Sequence, residues 1–77
     1  MKEKNTLNTL RPGETARIAA LCCTGSMRRR LLDIGLTENT AVVCLGYSPA
    51  GDPGAYLIRG VVIAIRGTDG ENILLQP

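Results

Sequence analysis

The sequence predicts a mainly β domain: a small five-stranded barrel with one short α-helix over residues 26–34 covering one end. Three observations carry this expectation. The apolar residues fall into five short runs of strand character, separated by Gly- and Pro-rich turns. One stretch alone follows a helical period, and it has its own start and stop signals. Finally, 77 residues forming a five-stranded sheet would leave two edges open unless the sheet closes on itself.

The elements follow in chain order. Leu7 and Leu10 precede a turn at Pro12-Gly13, and residues 1–6 read as a disordered tail ahead of a single domain, 7–77. Residues 15–21 alternate as a strand, with Ala16, Ile18 and Ala20 on one face. In the helix, Ser26 is placed to act as N-cap, and Gly35 suits the left-handed position just past the end. Met27, Leu31 and Ile34 form one apolar stripe, widened by Leu32, that would complete the core. Residues 40–47 form a second strand in which Ala41, Val43, Leu45 and Tyr47 share a face. Residues 48–54 are a loop. Residues 55–59 and 62–66 are strands joined by Gly60-Val61, read as a type II′ hairpin with Gly first. Residues 67–70 make a turn, and residues 73–76 close the chain as a last strand. The near-continuous apolar runs 42–45 and 61–65 imply strands covered on both faces. Gly35, Leu36 and Gly60, with the apolar stripe, are read as determinants of the fold.

Composition narrows the function. The chain carries nine basic and seven acidic residues for a net charge of +2, and both lysines lie in the tail. So nearly balanced a domain does not suit bulk binding to nucleic acid. The absence of histidine removes the commonest general base and any Ser-His or Cys-His nucleophile, so catalysis is not expected. Two tyrosines and no Phe or Trp give neither a polyproline groove nor a base-stacking platform. Asp33 is expected to pair with Arg29 or Arg30 one turn away, and Asp52 to cap its own turn.

Cys22, Cys23 and Cys44 are odd in number and have no Cys-x-x-Cys spacing. They read as free thiols in a reducing compartment. Two thiolates are too few for a closed zinc site, and iron(II) favours His and carboxylate. No metal site and no cofactor are therefore expected, since ligand spacing supports neither iron nor zinc. No signal-peptide or membrane-span pattern is present, which points to a cytoplasmic protein without membrane insertion.

Arg28, Arg29 and Arg30 stand out. With Ser26 as cap they would occupy the positive end of the helix dipole, which disfavours cations. A guanidinium triplet there suits the acidic surface of a partner. The structural alternative is pairing with Glu14, Glu38 or Asp52 over the edge of the core.

Several blocks, in order, resemble one family. They are Leu10-Arg-Pro-Gly-Glu14, then Arg28-Arg-Arg-Leu-Leu-Asp-Ile-Gly-Leu36, then Ser48-Pro-Ala-Gly-Asp-Pro53, and finally Arg59-Gly60 followed by Ile63-Ala-Ile-Arg66. On these the chain resembles the FeoA family, small cytosolic accessory proteins of bacterial ferrous iron uptake. Departures are Gly70 where Ala is usual and Asn39 where Gly is common, the latter tolerable because Asn accepts left-handed backbone. The resemblance implies an SH3-like barrel and a non-enzymatic role beside the ferrous iron transporter, on its cytosolic GTP-hydrolysing domain. The expected contact surface is Arg28, Arg29 and Arg30 with the loop residues Ser48, Asp52 and Pro53, acting by docking rather than as an arginine finger. Two alternatives are an SH3-like regulatory or dimerising module, as in metal-dependent repressors, and a barrel that self-associates through a strand edge as a weak homodimer.

Overall fold

The computed structural model describes residues 5–77. Five strands, β1 (Thr15–Leu21), β2 (Ala41–Tyr47), β3 (Gly54–Ile58), β4 (Val61–Ile65) and β5 (Ile73–Leu75), form one antiparallel sheet in the order β4-β3-β2-β1-β5. Helix α1 (Gly25–Asp33) joins β1 to β2, and a one-turn helix α2 (Gly67–Gly70) joins β4 to β5. A 3-10 turn at Leu7–Thr9 precedes β1. The mainly β, five-stranded architecture is the one the sequence predicts.

The ladder does not close. β4 pairs with β3 alone, and α2 occupies the connection where a closing ladder with β5 would begin. The other end of the sheet is covered differently. Thr6 bridges to Leu74, and the Leu75 N–H donates to the Asn5 carbonyl at 2.7 Å, so these two residues of the expected tail lie along β5. Residues 1–4 of that tail lie outside the described residues.

The core sits inside the curved sheet. Leu7, Ile18, Leu36, Val42, Cys44, Tyr56, Ile58 and Ile73 are fully buried there, and Leu31 of α1 packs onto them. Met27 and Ile34 flank Leu31 half-buried, as the stripe requires, whereas Leu32 is exposed. On β2, Val42 and Cys44 face inward, so Ala41, Val43 and Leu45 share the outer face. A register shift between Cys44 and Gly46 then turns Tyr47 back against the core. A similar irregularity between Ile18 and Ala20 breaks the alternation on β1, and Ala20 is exposed.

Two terminal features differ from the sequence expectation. α1 begins at Gly25 after Thr24, so Ser26 lies inside the first turn rather than capping it, and Thr24 makes no side-chain cap bond. The β3–β4 loop is Arg59-Gly60, not Gly60-Val61. Its residues have φ of 51° and 82°, and Ile58 pairs directly with Val61. Two successive left-handed residues match the twist of the flanking strands as a type I′ turn does. The expected turn at residues 67–70 is α2.

The C-terminal end of α1 is as read. Gly35 has φ of 89°, its N–H donates to the Leu32 carbonyl at 2.9 Å, and the Leu36 N–H donates to the Leu31 carbonyl at 3.0 Å. These are the two bonds of a Schellman motif, closed by apolar contact between its flanking residues. Leu31 and Leu36 are both buried in the one core cluster.

Candidate functional site

Successive residues on a helix diverge by about 100°, so three consecutive arginines cannot share one face. Arg28 and Arg29 line a shallow cleft with Gly25, Leu32 and Asp33. Arg28 is steadied by its Nη1, which donates to the Leu21 carbonyl at 3.2 Å. Arg30 turns to the other side and lines a groove of about 370 Å³ between α1 and β4. Because the helix starts one residue before Ser26, the triplet also stands further from its positive end than expected. Arg30 lies in the last turn, where the dipole favours a cation.

None of the three forms an ion pair with a carboxylate among the described residues. The pair formed there is Arg66 Nε to Asp69 Oδ2, at 3.6 Å. Asp33 therefore does not pair with Arg29 or Arg30, and Glu14 instead accepts the Arg11 N–H at 2.8 Å. On an exposed helix the side-chain entropy of holding two long groups together cancels most of the Coulomb gain.

The loop residues have structural work of their own. The Ser48 hydroxyl donates to the Asp52 carbonyl at 2.6 Å and accepts the Asp52 N–H at 3.1 Å. The Ser48 N–H donates to the Pro53 carbonyl at 3.1 Å, across a cis Asp52-Pro53 bond. Asp52 Oδ1 accepts the Gly67 N–H at 2.7 Å and so tethers the loop to the start of α2. Ser48 and Pro53 border the outer face of the sheet beside Leu45 and Ala64. The clefts lined by the arginines do not include Ser48, Asp52 or Pro53.

Beneath the loop lies an aromatic pair. Tyr47 and Tyr56 meet edge to face with centroids 6.5 Å apart, and the Tyr47 hydroxyl donates to the Leu10 carbonyl. A Cβ at Gly54 would fall 2.7 Å from the Tyr56 hydroxyl and 2.9 Å from the Tyr47 ring, so only Gly fits there. Burial pushes the Tyr56 phenol far above its ordinary value, and the neighbouring Tyr47 adds to the rise.

Cys22 is exposed, while Cys23 and Cys44 are buried, all as free thiols. Among the described residues no group of three or more His, Cys, Asp or Glu side chains is placed to hold a metal ion. No helix there is long and apolar enough to cross a membrane.

Residues 5–77, which hold the whole of this sheet and its helix, match the profile of the FeoA domain. The chain belongs to the FeoA family. Its fold is similar to that of the FeoA protein of Chlorobium tepidum, with a TM-score of 0.87 at 28% identity over 92% of this chain and 68% of that one. FeoA of Stenotrophomonas maltophilia, solved with zinc and described as a prokaryotic SH3 domain protein, shares the fold at a TM-score of 0.81. Its identity is 19%, over 92% of this chain and 88% of that one. A manganese-dependent transcriptional repressor contains the same fold at a TM-score of 0.83 and 16% identity, over 99% of this chain and 42% of the repressor. No curated protein sequence matches the chain. The chain thus has an SH3-like fold that a metal-dependent repressor also contains.

Sequence reasoning missed the groove beside β4. The run of five apolar residues, Val61-Val62-Ile63-Ala64-Ile65, was its signal, but it read as a strand covered on both faces. In the structure Val61 is 56% and Val62 61% exposed.

Proposed function

We propose that this FeoA-family protein is a non-enzymatic accessory protein of ferrous iron transport. In this reading it docks on the cytosolic GTP-hydrolysing domain of the ferrous iron transporter through the outer face of α1. The observation that carries the reading is that Arg28 and Arg29 stand exposed, without a carboxylate partner among the described residues. Guanidinium groups without a carboxylate partner on a rigid, well-terminated helix are preorganised for an acidic surface. The Stenotrophomonas relative, considered as a bacterial ferrous iron transport activating factor, supports the same direction. Iron is the cargo of such a system and need not bind to this chain.

The test is an NMR titration of the labelled protein with the soluble GTP-hydrolysing domain, with and without nucleotide. Shifts clustered on residues 26–32 are expected. The R28A/R29A/R30A variant should keep its circular dichroism spectrum and lose those shifts. An unchanged affinity in a folded triple variant would overturn the reading.

A further inference from the structure

The two ends of the sheet are treated differently. β5 is covered by Asn5 and Thr6, but among the described residues β4 has no strand on its outer side. Across a two-residue type I′ loop the flanking residues exchange both backbone bonds, so Val61, Ile63 and Ile65 bond to Ile58, Tyr56 and Gly54. The N–H and C=O groups of Val62 and Ala64 therefore point away from β3, and no other backbone partner meets them among the described residues.

This edge lacks the usual protection. Folded proteins blunt free edges with Lys, Pro, a bulge or an inward charge, and Val61–Ile65 has none of these. Its two sides are apolar as well. Toward α1 the groove is walled by Met27, Leu31 and Ile34, and on the outer face Ala64 continues to Leu45, which is 47% exposed.

Charge identifies the occupant. Arg30 and Arg66 line the groove, and Arg59 leads into β4. The one carboxylate lining it, Asp69, pairs with Arg66 at 3.6 Å, so the groove keeps a net positive charge through Arg30. A second copy pairing antiparallel through β4 would set Arg66 of each chain near Gly60 and Arg59 of the other, placing like charges together. A strand with carboxylates at its ends would meet cations at both. We propose that the free edge of β4 and its groove receive an extended segment of a different protein, apolar at alternate positions and acidic at its ends. That segment joins the sheet as a sixth strand, the mode known as β-augmentation. The inference goes beyond docking through Arg28 and Arg29, since it concerns Arg30 and the backbone of Val62 and Ala64.

The probe is the synthetic peptide acetyl-Asp-Val-Thr-Val-Thr-Val-Glu-amide, titrated into the labelled full chain. Its amides should shift Val62 and Ala64 and slow their hydrogen exchange. Replacing the terminal Asp and Glu of the peptide by Lys should weaken binding about fivefold, as should Arg30→Glu in the protein. Ala64→Pro removes an outward N–H and should abolish binding, and Arg30→Glu keeps the test decisive if that variant fails to fold. Three results would overturn the proposal: no shift of these amides at millimolar peptide, equal binding of acidic and Lys-ended peptides, or shifts that follow protein concentration without peptide. The last would assign the edge to a second copy.

Discussion

Gly35 meets two demands at one position. Its φ of 89° is left-handed, and a Cβ there would fall 2.6 Å from Arg59 Cδ. The contact exists because Arg59 Nε donates to the Gly35 carbonyl at 2.9 Å, fastening the β3–β4 hairpin to the end of α1. Gly60 shares the left-handed backbone, with φ of 82°, but has open space around it. Gly60→Ala should therefore cost about 1–3 kcal/mol from backbone strain alone, and Gly35→Ala more, since Arg59 must also move. Urea denaturation of the two variants checks the order. Asn39 takes φ of 73°, the left-handed backbone that its sequence reading allows. The tyrosines carry a pH dependence. Burial raises both phenols above the ordinary value of about 10, so the unfolded chain releases its phenolic protons first. The native state binds more protons above that pH, and stability is whole below it and falls as pH rises further. A urea midpoint lower at about pH 11 than at about pH 8 is expected, with a smaller drop in Tyr47→Phe.

For α1, a cap at Thr24 instead of Ser26, two residues earlier, changes the electrostatic argument. The arginine triplet breaks the dipole rule if Ser26 is the cap, but not when the helix begins at Gly25 and Arg30 reaches its last turn. What remains unusual is the lack of carboxylate partners, and that is a tertiary fact. The loop before β3 shows the reverse. Asp52 was read both as a turn-forming residue and as a contact residue, and its carboxylate is the acceptor for the first N–H of α2. Asp52→Ala should cost about 0.5–2 kcal/mol and speed exchange of the Gly67 amide, while Asp52→Asn should retain most of the effect. The Ser48 bonds to the Asp52 backbone should survive both changes, keeping the loop in place.

Across the whole molecule the sheet has a protected interior and one open side. Hydrogen exchange on the free protein should rank accordingly: amides of β1, β2 and β3 slowest, then Val61, Ile63 and Ile65 on β4, with Val62 and Ala64 fast. Uniform protection along β4 would mean that its edge is already paired in solution. The arginine triplet divides around α1, with Arg28 and Arg29 on its outer face and Arg30 in the groove toward β4.

Local signals sufficed for much of this. The Schellman end at Gly35-Leu36, the Met27-Leu31-Ile34 stripe, the five strands and the family blocks are short-range patterns that the chain states directly. Such patterns report which residues can share a face or a turn. They do not report which face is covered. That is why Val43 and Leu45 proved to be outside, why residues 61–65 were taken as buried, and why closure was expected where the ladder stops. Covering both faces of β4 would need a partner layer, and among the described residues α1, the longest helix, flanks that strand on one face. The sequence by itself determined the number and order of the strands, the main helix with its Gly35 end, and the family. Only the tertiary structure decided which edge stays open and which arginine faces it, because both depend on long-range pairing that no local period encodes.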